Sequence, residues 1–233
     1  MFLIDWTYII IVLPFVIFAM IASARVNSTF KRYSNVGSTW GLTGAEVARR
    51  ILDSEGLTDV RIEMVRGHLS DHYDPRSRVV RLSESTYSST SCAAIGVASH
   101  EVGHAIQHAK RYFPLTIRTA IIPITNIGSR LAMPLILIGI LLSYFSEYFA
   151  YVAYIGVACF ALSALFQLIT LPVEFNASRR ALKILDSSHI LMDNELVYAR
   201  RVLSAAAMTY VAALAVSLAQ ILRLLLIVGR RRR

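Results

Sequence analysis

Four apolar blocks constrain this chain more than anything else in it. Residues 6–24, 127–145, 149–171 and 202–228 are nearly continuous in Ile, Val, Leu, Phe and Ala, and each is about long enough to cross a bilayer as a helix. Hydrocarbon offers the backbone no water, so such blocks must close their hydrogen bonds within each segment, which for single spans means helices. Composition agrees: 55% of the 233 residues are hydrophobic and only 17% charged, with mean hydropathy +0.54, too apolar for an ordinary soluble domain. The expected fold is mainly α with a small β element (α+β), an integral membrane protein of about four transmembrane helices. The net charge of +9 accompanies no nucleic-acid recognition motif, and much of it flanks the apolar blocks, so it reads as a topology signal.

In chain order, residues 1–24 are expected to be a membrane anchor. Ala22-Ser23-Ala24 resembles a signal-peptidase site, but Asp5 precedes the apolar run while Arg25, Lys31 and Arg32 follow it. That distribution favours an uncleaved anchor with its N-terminus outside. Residues 121–171 form a transmembrane hairpin that turns around Ser143 to Glu147 and returns the chain to the side it left. Residues 25–120 and 172–201 then share one side, and Arg25, Lys31, Arg32, Lys110, Arg111, Arg179 and Arg180 near the membrane ends make that side cytoplasmic. Residues 202–233 form a last membrane helix carrying Arg223 and a basic tail from Arg230 to Arg233. Four spans would leave that tail outside, against the positive-inside tendency, or the block enters the bilayer incompletely from Arg223 onward. Arg130, near the entry of its span, reads as a snorkelling side chain; with Asn126 one turn away, the alternative is that both face a cleft.

Residues 25–120 read as a soluble domain. Thr43-x-x-Glu46 is a capping box ahead of Val47, Ala48, Ile51 and Leu52, and Gly56 ends that helix. Val60, Ile62 and Met64 alternate as a strand, Asp71-His72-Tyr73-Asp74-Pro75 reads as a turn, and residues 78–82 read as a second strand. That second strand is the expected exposed edge on which an extended peptide could pair, with a plain structural hairpin as the alternative.

The chemistry is concentrated in Ser99-His100-Glu101-Val102-Gly103-His104-Ala105-Ile106-Gln107-His108. His-Glu-x-x-His on a helix stacks two imidazoles one turn apart, about 40° around the axis, so that both reach one tetrahedral metal. Glu101 lies about 100° away, able to meet a metal-activated water without being a ligand. Ile95, Ala98, Val102, Ile106 and Ala109 form an apolar stripe behind, predicting a helix with a dry back and a polar front. After the hairpin, Pro172 suits the first turn of a new helix on which Glu174, Ala177, Ser178 and Ala181 share a small-residue face. Gly96 and Gly103 on the motif helix could admit that face closely. Glu174 is therefore a candidate third ligand, since two His and one Glu leave a fourth position open. Cys92 and Cys159 supply neither a disulfide framework nor a cysteine-rich zinc site.

The segment His100 to Gln107, the later run Leu171-Pro172-Val173-Glu174-Phe175-Asn176-Ala177-Ser178-Arg179-Arg180-Ala181 and the earlier Asp71-His72-Tyr73-Asp74-Pro75 together resemble the YugP-like family of bacterial membrane zinc metallopeptidases. The resemblance covers nearly the whole chain, and that family is itself similar to HtpX and the CAAX prenyl endopeptidases, which are gluzincins. It implies a zincin-like domain in residues 25–120, one Zn2+ per chain, peptide hydrolysis at a cytoplasmic-facing site of a multi-pass cell-membrane protein, His100, His104 and Glu174 as ligands, and Glu101 as the general base. Two positions depart from its pattern: Asn176 stands where an Asp is expected, and Ser178 where HtpX-like enzymes carry an Asp that orients a ligand histidine. The expected partners are a peptide or membrane-protein substrate and lipid, with no nucleic acid. The rival class is a non-hydrolytic membrane scaffold or chaperone retaining a structural zinc. His108 is read as a partly exposed helix histidine, His72 or Tyr73 as an oxyanion donor without a spacing rule behind it, and His189 as a loop residue.

Overall fold

The computed structural model describes residues 5–230, Arg230 by its backbone alone. Of the expected basic tail, residues 231–233 lie outside the described residues. The chain is mostly helical: α1 (Leu13–Tyr33), preceded by a π-helical segment Tyr8–Val12, α2 (Gly44–Ser54), α3 (Glu84–Tyr87), α4 (Cys92–Ala109), α5 (Phe113–Leu142), α6 (Ala150–Ser187) and α7 (Asp193–Arg230). Three short strands complete it, β1 (Arg61–Val65), β2 (His72–Asp74) and β3 (Val79–Ser83). Among the described residues four helical stretches are long and apolar enough to cross a membrane, Tyr8–Tyr33, Phe113–Leu142, Glu147–Ser187 and Asp193–Gly229. Contacts divide the chain into two compact units: one holds the chain up to Ala22, Ile117–Leu171 and everything from Thr209, the other Ser23–Thr116 and Pro172–Met208.

The first unit is an apolar helix assembly. Its exposed surface is rich in Ile, Leu and Phe, as hydrocarbon solvation requires. Small residues let its backbones close up: Gly139 lies against the backbone of Ala153, and a Cβ on Gly156 would come within 2.7 Å of the Ile136 nitrogen. Two polar groups inside it find partners among the described residues. Gln167 donates to the Ser217 hydroxyl (2.9 Å). Arg223, only 4% exposed, pairs with Asp5 at 3.2 Å and lies over the Tyr8 ring, so the charge inside the last apolar block is neutralised by the residue that opens the first.

In the second unit the capping box forms as read: the Thr43 hydroxyl accepts from the Glu46 N–H, and the Glu46 carboxylate accepts from the Thr43 N–H. Val47, Ala48, Ile51 and Leu52 then pack with Val80, Leu82, Ile95, Val102, Ile106 and Leu185 in one core. The sheet order is β1-β3-β2, with β1 parallel and β2 antiparallel to β3. This corrects two expectations. The strand over residues 78–82 is the centre of the sheet, paired on both sides, so it offers no edge. The stretch beginning at Asp71 is not itself the turn, because His72–Asp74 is a strand and the reversal falls at residues 75–78. There Asp74 accepts from the Arg76 N–H (2.9 Å) and the Ser77 hydroxyl (2.6 Å). With Arg81 added, those donors hold its carboxyl well below the usual carboxylate range. Of the alternating Val60, Ile62 and Met64, Val60 is buried but Met64, on the edge strand β1, is 58% exposed.

Pro172 does not begin a helix. It sits inside α6, as Pro123 and Pro134 sit inside α5. Long helices that run into apolar sequence tolerate an internal proline, because the remaining turns keep their own hydrogen bonds and neighbouring groups or local adjustments can satisfy the freed carbonyl. Glu174 therefore rides on the same helix as the apolar block before it, and that helix ends at Ser187. The chain then turns at residues 188–192 and α7 begins at Asp193, ahead of the apolar block itself.

Candidate metal centre

α4 starts where Ser91 caps it, its hydroxyl accepting from the Ala94 N–H. Ile95, Ala98, Val102 and Ile106 are fully buried as the stripe predicts, though Ala109 is exposed. The opposite face is not open: Glu101 is 8% exposed and Gln107 fully buried, because α6 packs onto it. The close approach is made at Gly103, whose hydrogen stands where a Cβ would meet the Ala177 carbonyl oxygen at 2.7 Å. Gly96, by contrast, faces Ala199 on α7, not α6.

This packing brings His100, His104 and Glu174 together as a group able to hold a metal ion. His100 Nε2 and His104 Nε2 are 3.2 Å apart, and Glu174 Oε2 lies 3.3 Å from the first and 3.4 Å from the second. Donors about 2.0–2.1 Å from a tetrahedral zinc stand about 3.3–3.4 Å from one another. The three atoms thus form a triangle of the size zinc requires.

The other nitrogens of the two imidazoles are fixed from behind. Arg180 Nε–H, which can only donate, donates to Asn176 Oδ1 (2.7 Å). The same oxygen accepts from Gln107 Nε2 (3.0 Å), and Gln107 Nε2 also donates to the Val173 carbonyl (2.8 Å). The amide of Gln107 is thereby oriented without ambiguity, leaving its Oε1 to face His104 Nδ1 at 3.0 Å. An acceptor there requires the Nδ1–H tautomer, which puts the His104 lone pair on Nε2, in the triangle. On the other side Ser178 Oγ lies 3.0 Å from His100 Nδ1, so the serine at the departing position still contacts that ring. Burial opposes charge on His104, but the Glu174 carboxylate, the charge of Glu101 and the Gln107 bond outweigh it and raise its pKa. A proton and a metal compete for the same nitrogen.

Among the described residues no group donates a hydrogen bond to the Glu101 carboxylate, which lies on the same helix between the two histidines. His108 is exposed, as expected, yet its Nδ1 is 2.9 Å from the hydroxyl of Tyr73 on β2. His72 is exposed and bonds the Ser70 carbonyl (2.8 Å), and His189 sits in the exposed turn before α7. Cys92 and Cys159 are free, and burial pushes the Cys92 thiol up to about 11. Gln107 and Asn176 were the parts of the site that motif reading did not assign. The available signal was a Gln three residues after His104, one turn along the same helix.

Residues 8–229 match the family described as "Putative neutral zinc metallopeptidase", and the chain belongs to that family. A relative from Bacillus subtilis (strain 168), named "Putative membrane protease YugP", is 51% identical over 206 residues, covering 88% of this chain and 89% of its own length. No solved structure matches the chain. Membership implies zinc, and the two-imidazole, one-carboxylate donor set is of the kind zinc takes.

Proposed function

We propose that this chain is a membrane-embedded, multi-pass zinc endopeptidase of the gluzincin kind, with one zinc per chain held by His100, His104 and Glu174. The observation that carries the reading is the 3.2–3.4 Å triangle of lone-pair atoms, with Glu101 beside it. When bound there, zinc supplies Lewis acidity, making water nucleophilic near neutral pH and polarising a scissile carbonyl. Glu101, which accepts from no donor among the described residues, takes the proton of the attacking water and passes it to the leaving amine, a role worth roughly 10² to 10⁴ in rate. Gln107 and Ser178 keep the two imidazoles turned so that their Nε2 lone pairs converge.

The substrate class is a peptide or membrane-protein segment. With β3 covered on both sides, the sheet's edges are β1 and β2, and β2 is the one beside the motif helix, its Tyr73 touching His108 on α4, so β2 is the edge we assign to an added peptide. Arg and Lys residues flanking the second unit's segments favour a cytoplasmic site. The test is cleavage of membrane-protein substrates by the purified full-length protein against Glu101→Gln. The reading expects loss of cleavage with zinc content and fold retained; cleavage at the wild-type rate would remove Glu101 as base. Absence of cleavage by a zinc-loaded wild type across substrates would favour the scaffold reading.

A further inference from the structure

Within the second unit, α6 and α7 run antiparallel and leave a groove of about 550 Å³ between Phe175 to Asp186 on one helix and Leu196 to Met208 on the other. Arg179, Lys183 and Arg200 line one part of it, all exposed. Among the described residues none of the three is paired with a carboxylate, although Asp186 borders the same groove. The other end is apolar, with Phe175 and Met208 43% and 40% exposed and Leu203 beneath them. Three like charges crowded without partners raise the local potential and select an anion, and guanidinium forks suit phosphate oxygens.

The sequence then says which anion. α6 has no charged residue between Glu147 and Glu174, and α7 has none between Arg201 and Arg223. The cations therefore stand where both helices pass from charged to uncharged, mainly apolar sequence, and the apolar end of the groove lies on the hydrocarbon side of that change. A phosphate with an attached acyl chain matches both ends; a free anion matches only one. We propose that this groove is a binding site for one anionic phospholipid, its phosphate held by Arg179, Lys183 and Arg200 and an acyl chain lying along Phe175, Leu203 and Met208. Ser178 lines the groove and also bonds His100, so the lipid lies one side chain from the metal ligands. The proposal rests on reading the four long helices as membrane spans.

The experiment is native mass spectrometry of the detergent-solubilised full chain titrated with dioleoyl phosphatidylglycerol, with dioleoyl phosphatidylcholine as the neutral comparison. One phosphatidylglycerol should bind at least tenfold more tightly than phosphatidylcholine. The double variant Arg179→Gln/Arg200→Gln should lose roughly 30-fold, from about fivefold per interfacial cation. The charge-matched Arg66→Gln/Arg76→Gln should lose nothing, and Ser204→Trp, which fills the groove without changing charge, should weaken both lipids. Equal affinity in wild type and Arg179→Gln/Arg200→Gln overturns the proposal. Full displacement of the lipid by inorganic phosphate reassigns the groove to a free anion, and displacement by an acidic apolar peptide reassigns it to a peptide; either overturns the lipid. Carbonate extraction of membranes separates the two failures: a chain that stays in the pellet while the lipid arms fail loses only this site, whereas release into the supernatant removes the membrane reading and the lipid proposal with it.

Discussion

Replacing Gly103 by Ala should damage the metal centre while leaving the fold in place. The added Cβ would lie 2.7 Å from the Ala177 carbonyl oxygen and 3.2 Å from its carbonyl carbon and Cα, all backbone atoms of α6. The closest of these is about 0.7 Å short of ordinary van der Waals contact, and a helix backbone cannot rotate aside as a side chain would, so α6 must move. Glu174 sits one turn from Ala177 on that helix, and its carboxylate shifts with it. Overpacking costs about 1–3 kcal/mol, and Ala in place of a helix-interior Gly returns about 1 kcal/mol, so the net stability change should be about 0–2 kcal/mol. A catalytic group displaced by about 1 Å can cost roughly 10²-fold in rate, so 0.7 Å should cost between about tenfold and a hundredfold. Zinc affinity by competition with a chromophoric chelator, cleavage rate and melting temperature would be read on the same preparations. The control is Gly96→Ala, whose Cβ meets the Ala199 Cβ at 3.2 Å, a contact on α7 that carries no ligand; zinc affinity there should hold. Unchanged zinc affinity and cleavage in Gly103→Ala would refute the claim that this close approach sets the site.

Gln107→Leu should lower zinc affinity about 10–100-fold, because His104 loses the acceptor that fixes its tautomer, and should cost about 1–3 kcal/mol for the polar partners left behind; chelator competition and thermal melting separate the two, and an unaltered zinc affinity would sink the orienting role. Single cysteines placed at Ser70 and at Ser187 should label from the same, cytoplasmic, side of the membrane, and labelling from opposite faces would break the topology on which a shared site depends.

Much of the site was legible because its chemistry is local. His100, Glu101 and His104 are grouped by one helical turn, and Glu174, which the structure brings beside the two histidines, could be picked out because its helix presents Ala177, Ser178 and Ala181 on the same face. Gln107 escaped because its role depends on Val173 and Asn176, residues about 70 positions away, and nothing in the motif marks a buried amide as an orienting group. The sheet failed for the same reason. Residues 78–82 read well as a strand, but whether a strand is central or at the edge depends on what pairs beside it, and the three residues of β2 were masked by the turn formers Asp71, Asp74 and Pro75. Pro172 misled because its preference for a first turn is only a local one, and here the helix of the preceding apolar block runs straight through it. Arg223 looked anomalous within its block until Asp5, 218 residues earlier, was found to be its partner.

Zinc stoichiometry with X-ray absorption on the purified full-length chain tests the proposed ligand set of His100, His104 and Glu174 most directly. Wild type should carry one zinc per chain, with only nitrogen and oxygen donors at about 2.0–2.1 Å. His104→Ala and Glu174→Ala should each lose tight zinc, while Glu101→Gln keeps it with the same donor shell. Full, tight occupancy in Glu174→Ala, or sulfur in the wild-type shell, would contradict the assignment.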